Sequence, residues 1–250
     1  GLAGEGLDPV AFATYPMWEA AIGRASGILT HTPDAYAAVL ARGITDAFRL
    51  VLPHPFRPVH PRDTPGSGPL RLIQFGHMSD NRRLEPVLRA LGAYRTRPDR
   101  ADFTLDVFGH THGMDNVTSV VDSLGIGDLV TFHGFVPEEQ LDEAIRHSDL
   151  VFNLRNPTMG EASASQLKVW ENAALSVVSN HGWYASLPDD AVFKIAPDNE
   201  AQAIPELLDR LGGDRALSIR MGSAGRRRLE THHTVEAYSA GIRDIMGYRN

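Results

Sequence analysis

The sequence predicts an α/β fold, a Rossmann-like parallel sheet with helices on both faces. Three observations carry that expectation. From about residue 70 onward, short apolar runs alternate with stretches of helical periodicity. The apolar runs are continuous rather than one-in-two, as strands covered on both faces require. And 250 residues at 42% hydrophobic content are enough for one large domain, or one and a half small ones, with a substantial core.

Taken in order, Gly27–Thr30 is a short apolar run leading to Thr32-Pro33, where threonine suits a helix cap and proline the first turn. That helix is expected to stop at Gly43, and Phe48–Leu52 reads as the next strand. Residues 53–69 hold six prolines and two glycines without periodicity and read as a linker. Beyond it, strands are expected at Leu70–Phe75, Thr104–Phe108, Val130–His133, Leu150–Leu154, Ser176–Ser179 and Ala191–Ile195. Helices are expected at Leu84–Tyr94, Asn116–Leu124, Pro137–His147 and Ser163–Leu175, with three more near 199–211, 215–229 and 232–247.

Bulk properties narrow the function. A formal net charge of −7 and a pI near 5.9 give no general attraction to nucleic acid or an anionic membrane. Only Lys168 and Lys194 are lysines among 24 basic residues, which leaves 22 arginines, a bias of the kind a GC-rich gene produces. With no cysteine there is no disulfide, thiol nucleophile or thiolate metal site. No run approaches the roughly 20 apolar residues of a membrane span. The chain opens at Gly1 without an initiator methionine, and is read as a processed protein or an excised piece.

In a doubly wound sheet, ligands lie beyond the carboxyl ends of the strands, so the loops there are the candidates. The first is Gly76 through Arg83. Its glycine permits close approach of a ligand to the backbone, and Arg82 and Arg83 suit a diphosphate; the alternative is a turn with an exposed basic pair. The loop His133-Gly134-Phe135-Val136 offers backbone groups and an apolar wall to a flat base, or is an ordinary strand-to-helix turn. The most informative stretch is Arg155 through Ser165. There Glu161 precedes a small, hydroxyl-rich helix start suited to phosphate oxygens, or is a solvated acid beside a helix capped by Ser163 or Ser165. The histidine pairs His110/His112 and His232/His233 lack a carboxylate at zinc-ligand spacing and read as surface or packing residues. Asp189-Asp190 is no Asp-x-Asp metal motif, and no Gly-x-Ser-x-Gly elbow is present.

The order of these segments resembles the C-terminal, donor-binding domain of retaining GT-B glycosyltransferases, the group 1 or family 4-like transferases, over about residues 24–248. The matching segments are Ala25–Thr32, Ile73–Gly76 through Arg82, Leu105–Gly109, Val130–Val136 and Gly160–Ser163. The resemblance implies residues 1–55 as the end of a partial acceptor-side domain and 56–69 as the linker. It makes 70–230 the nucleotide-sugar-binding domain and 231–250 a C-terminal helix. It also implies transfer of a sugar, with retained configuration, from a nucleotide-diphosphate sugar to a saccharide or glycolipid acceptor. The donor is a substrate; no cofactor, metal or nucleic acid is expected. Most of the N-terminal acceptor domain of the same polypeptide would be missing, leaving the isolated chain inactive. The setting implied is a bacterial cytoplasm, with attachment to the inner membrane face left open.

Carried over residue by residue, Arg82 and Gly76 would serve the diphosphate, with His77 where the family has arginine. Phe135 and Val136 would flank the base, and Glu161 would contact sugar hydroxyls. Ser163, Ala164 and Ser165 would present the helix start to the phosphates, and Glu161 and Arg82 would be the catalytic pair. The chain departs from the family's Glu-x7-Glu pattern, because Val169 stands where the second glutamate belongs and Glu171 lies two residues further on. A non-catalytic scaffold of the same fold is the alternative reading, and a GT-B-fold sugar epimerase a further one.

Overall fold

A computed structural model describes residues 25, 27–41, 48–56, 66–111, 116–158 and 161–246. Strands β3 (Leu70–Phe75), β4 (Phe103–Phe108), β5 (Val130–Gly134), β6 (Leu150–Asn153), β7 (Ser176–Ser179) and β8 (Val192–Ile195) form one parallel sheet, in the order β5-β4-β3-β6-β7-β8. The chain winds outward from β3 to one edge and then, starting at β6, to the other. The strand order therefore reverses between β3 and β6, and the loops leaving those two strands diverge there to open a crevice.

The period of two within β3 shows how both faces are covered. Leu70 and Leu72 face the side packed by α2 (Leu84–Arg95), α3 (Val117–Ser123) and α6 (Glu200–Gly213), where Leu88, Leu91, Val121, Leu207 and Leu208 complete one core. Ile73 and Phe75 face the other side, against Ile145 of α4 (Glu138–His147) and Val169 of α5 (Ala164–Glu171). A third cluster joins α5 to α7 (Ala216–His232) through Trp170, Trp183, Tyr184 and Leu229. There Gly225 is obligatory, because a Cβ on it would lie 2.1 Å from Trp170 Cδ1.

The segment before the linker forms a small parallel pair, β1 (Gly27–Thr30) with β2 (Phe48–Val51), around α1 (Pro33–Ala41). Thr32 caps α1 as expected, accepting from the Ala35 amide at 3.1 Å. The last helix, α8 (Val235–Ile245), returns to this small sheet, where Gly241 sits against Leu52.

Several boundaries differ from expectation. Helix α5 ends at Glu171 rather than Leu175, because Ala173 turns left-handed (φ 48°) and its amide bonds back to Trp170 O, releasing the chain into β7. Helix α7 runs on through His232, so no break falls at 230. The break comes where Thr234 caps α8 through the Ala237 amide at 3.1 Å. Two 3-10 turns, Asp80–Arg82 and Gly182–Ser186, carry no periodic signal and were not anticipated; both belong to the crevice. The expected stop at Gly43 and most of the 56–69 linker lie outside the described residues.

Candidate functional site

The crevice above β3, β4 and β5 has apolar walls. A cavity of about 270 Å³ is lined by Phe75, Gly76, His77, Phe108, Gly109, His110, Phe135, Val136 and Leu141. Backbone bonds continue past the strand ends and hold its floor: Gly76 N to Phe108 O at 2.9 Å, Gly109 N to Gly134 O at 2.7 Å, and Met78 N to His110 O at 2.9 Å. Gly109 has φ 113°, and a Cβ there would lie 2.0 Å from Gly76 O, so this floor tolerates only glycine. Phe135 is 80% exposed at the rim, its ring stacked beside His110 with centroids 6.0 Å apart. An apolar ring this exposed suits a flat partner. His133, by contrast, points away, bonded to Asp106 at 2.6 Å and stacked on Phe108.

The other end of the crevice, between β3 and β6, is cationic. Gln74, buried in β3, donates to Arg82 O at 2.8 Å, and Asn156 N donates to Asn81 O at 2.9 Å. Together these bonds pin the loops that leave β3 and β6 against one another. Arg82 lies over Gly76, where a Cβ would be 2.8 Å from its Nη2. Its guanidinium meets only neutral oxygens among the described residues, Phe75 O at 3.4 Å and Ser165 Oγ at 3.5 Å. Burial, and then the neighbouring charge of Arg155, push its pKa down to about 10, against the weaker pull of Tyr184 and Glu161. Arg155 is more buried still and its pKa is likewise lowered, chiefly by burial, with Tyr184 and Glu161 opposing. Glu161 stands 3.7 Å from Arg155 Nε and accepts from Thr158 Oγ1 at 3.3 Å.

Helix α5 begins in this cluster. Ser163 is its cap, accepting from the Gln166 amide at 3.1 Å. That leaves the amides of Ala164 and Ser165, which have no acceptor within the helix, at its positive end. Tyr184, from the second 3-10 turn, closes the back wall. Burial raises its pKa, while Arg155, Ser163 and Arg82 pull it down.

The residues expected from sequence thus gather in two groups. Gly76, His77, Phe135 and Val136 line the apolar end, and Arg82, Glu161, Ser163, Ala164 and Ser165 the cationic end, with Gly76 touching both. Arg83 does not join them. It turns away in a left-handed conformation and is held by Glu200 at 2.6 Å and Asp198 at 2.7 Å, bonds that raise its pKa. Nor does Glu171 reach the crevice: it is buried against Lys168 at 3.2 Å, and Val169 is fully buried. Sequence reasoning assigned no role to Arg155, although its place directly after β6, at the sheet's reversal point, is a usable signal. Tyr184 comes from an aperiodic turn and had none. Among the described residues, no group of three or more His, Asp or Glu side chains is arranged to hold a metal ion, and no helix is long and apolar enough to cross a membrane.

No family model matches the sequence, and no curated protein matches it either. Solved structures do match the fold. HepE (Alr3699) of Anabaena superposes with a TM-score of 0.76 in its complex with UDP, at 16% identity over 97% of this chain and 70% of that one. Its complex with UDP-glucose matches equally well, at 15% identity over 98% and 71%. A glycosyltransferase of Rickettsia africae gives 0.73, at 14% identity over 97% and 69%. Sucrose-phosphate synthase of Thermosynechococcus elongatus gives 0.71, at 19% over 94% and 61%. At these identities the likeness is one of fold alone, a parallel α/β sheet with helices on both faces that this chain shares with them.

Proposed function

We propose that this chain binds the donor of a glycosyl transfer, a nucleotide-diphosphate sugar, and belongs to an enzyme that moves its sugar to a saccharide or glycolipid acceptor with retained configuration. The observation that carries the reading is the pairing, in one crevice beyond the strand ends, of an apolar slot of about 270 Å³ with a cationic cluster around a helix start at the sheet's reversal point. HepE, which shares this fold, was solved with UDP and with UDP-glucose.

In this reading Phe135 and Val136 flank the base, and Gly76 lets the phosphates lie close to the backbone. Arg82 and the amides of Ala164 and Ser165 stabilise the charge that develops on the departing nucleoside diphosphate. Glu161, on the far side of that charge, accepts from sugar hydroxyls. The helix dipole and guanidinium are fixed before the reaction, so they need no reorganisation as the glycosidic bond to the leaving oxygen breaks.

One observation favours a non-catalytic module of the same fold. No carboxylate stands where Val169 is buried, and Glu171 is committed to Lys168. Calorimetry separates the two. Titrated with UDP, GDP and ADP in EDTA, the folded protein is expected to bind at least one of them, and Arg82→Ala to weaken that binding by about 1.5–3 kcal/mol, the worth of a charged hydrogen bond. Absence of heat with all three nucleotides would overturn the donor-site reading and leave the module.

A further inference from the structure

Two arginines in consecutive positions of one loop have opposite surroundings. Arg83 is fully matched, its guanidinium divided between Glu200 and Asp198. Arg82 faces the crevice with two long bonds to neutral oxygens and another guanidinium as its neighbour. That neighbour, Arg155, has a side chain only 9% exposed and reaches Leu154 O at 3.3 Å and Glu161 at 3.7 Å. The other buried acids nearby are engaged elsewhere: Glu200 by Arg83, and Asp142 and Glu171 by Lys168. Among the described residues, two largely dehydrated guanidiniums therefore share one carboxylate, and that carboxylate is 40% exposed. Confining like charges out of water is costly unless something negative completes them.

The fold places the two cations with purpose. Arg82 follows β3 and Arg155 follows β6, the strands on either side of the reversal point, and the Asn156–Asn81 bond fixes the spacing of their loops. The α5 start and the Tyr184 phenol close the space between them. His77, in the same loop as Arg82, lies instead along the apolar slot.

We propose that Arg155 is a phosphate-binding residue, the second cation of a clamp in which Arg82 and Arg155 grip the two phosphoryl groups of a diphosphate from opposite sides of the switch point. The inference rests on the donor-site reading for its biological ligand, but its chemistry concerns the diphosphate alone. Inorganic pyrophosphate, which has no base to enter the apolar slot, is therefore the probe.

Wild type, Arg155→Gln, Arg155→Lys and Glu161→Gln are titrated with pyrophosphate in EDTA, with circular dichroism confirming the fold of each. Wild type is expected to bind, Arg155→Gln to bind about tenfold more weakly or worse, and Arg155→Lys to recover part of the loss. Glu161→Gln, which removes the carboxylate charge nearest the two arginines among the described residues, is expected to bind at least as tightly as wild type. That variant keeps the test decisive if Arg155→Gln fails to fold. Were Arg155 merely a prop for Glu161, Arg155→Gln would match wild type, or Glu161→Gln would weaken pyrophosphate; either result overturns the clamp. So does a wild type that ignores pyrophosphate. A wild type that binds pyrophosphate through both arginines but takes no nucleotide would sink the donor reading and leave the clamp standing. Undiminished nucleoside-diphosphate binding by folded Arg155→Gln would do the reverse.

Discussion

At the apolar end of the crevice the walls are rings and the floor is backbone; at the cationic end, long side chains from three loops converge on a helix start. The apolar floor is an extension of the sheet, with Gly76, Gly109 and Gly134 continuing the strand pairing past the strand ends. Its shape is thus fixed by the same bonds that fix the fold, and it contains little charge. At the cationic end a single backbone bond, Asn156 N to Asn81 O, joins the two loops, while the charged groups themselves are held by single side-chain contacts, several near the limit of hydrogen-bond distance, and like charge is concentrated there. The apolar end should therefore behave as part of the scaffold. The cationic end should behave as a site held at some cost to the free protein and relieved by an anion.

The sharpest way to break this contrast is Gly109→Ala. The new methyl would overlap Gly76 O, on a backbone at φ 113° that side chains rarely adopt. Strain and overlap together should cost about 3 kcal/mol or more in unfolding by urea or heat. A variant as stable as wild type would show that the floor gives way, and the apolar end would lose its claim to rigidity.

The next test compares the ends directly. Glu161→Ala should lower affinity for the nucleotide sugar by about 1.5–3 kcal/mol, the loss of a charged acceptor, while leaving the bare nucleoside diphosphate unharmed. Phe135→Ala should weaken both ligands alike, by about 1 kcal/mol, because an aromatic contact with the base is present in each. The quantity to follow is the ratio of the two affinities. It should move for Glu161→Ala and stay fixed for Phe135→Ala; a ratio unmoved by Glu161→Ala would place the sugar elsewhere.

The same contrast explains what could be read from the sequence. The six strands and the Gly76 and Phe135 loops were legible because short apolar runs, three of them closed by a glycine (Gly76, Gly109 and Gly134), leave a one-dimensional trace. Arg82 and Glu161 were legible by position within such loops. Arg155 was in view but carried no role, because nothing in sequence shows that Asn156 bonds to Asn81 and brings the two loops together. Tyr184 was invisible, since its 3-10 turn has no period. Arg83 looked equivalent to Arg82 for a complementary reason: its partners, Asp198 and Glu200, lie more than a hundred residues away.

The smallest expected effect is also the most specific to the cationic end. Arg82 has its pKa lowered to about 10 by burial and by Arg155, whereas in the unfolded chain it keeps its ordinary, higher value. Between those values the unfolded state holds more protons than the folded one, so this group's contribution to stability improves as pH rises through 10. Below pH 10 the folded protein carries the whole penalty of the buried charge, independent of pH. Arg82→Gln removes the charge while keeping a polar side chain near Phe75 O and Ser165. Without ligand, the variant should therefore melt at or slightly above the wild-type temperature at pH 8, by about 2–4 °C for each kcal/mol recovered. That advantage should shrink when the comparison is repeated at pH 10.5, as the wild-type arginine begins to shed its proton. Phe135→Ala, at the uncharged end, should differ from wild type by the same amount at both pH values. Taking differences between variants at each pH cancels the titration of distant groups common to both proteins. If the Arg82→Gln difference is equally flat, Arg82 is an ordinary solvated arginine and the two ends of the crevice do not differ in the way their geometry indicates.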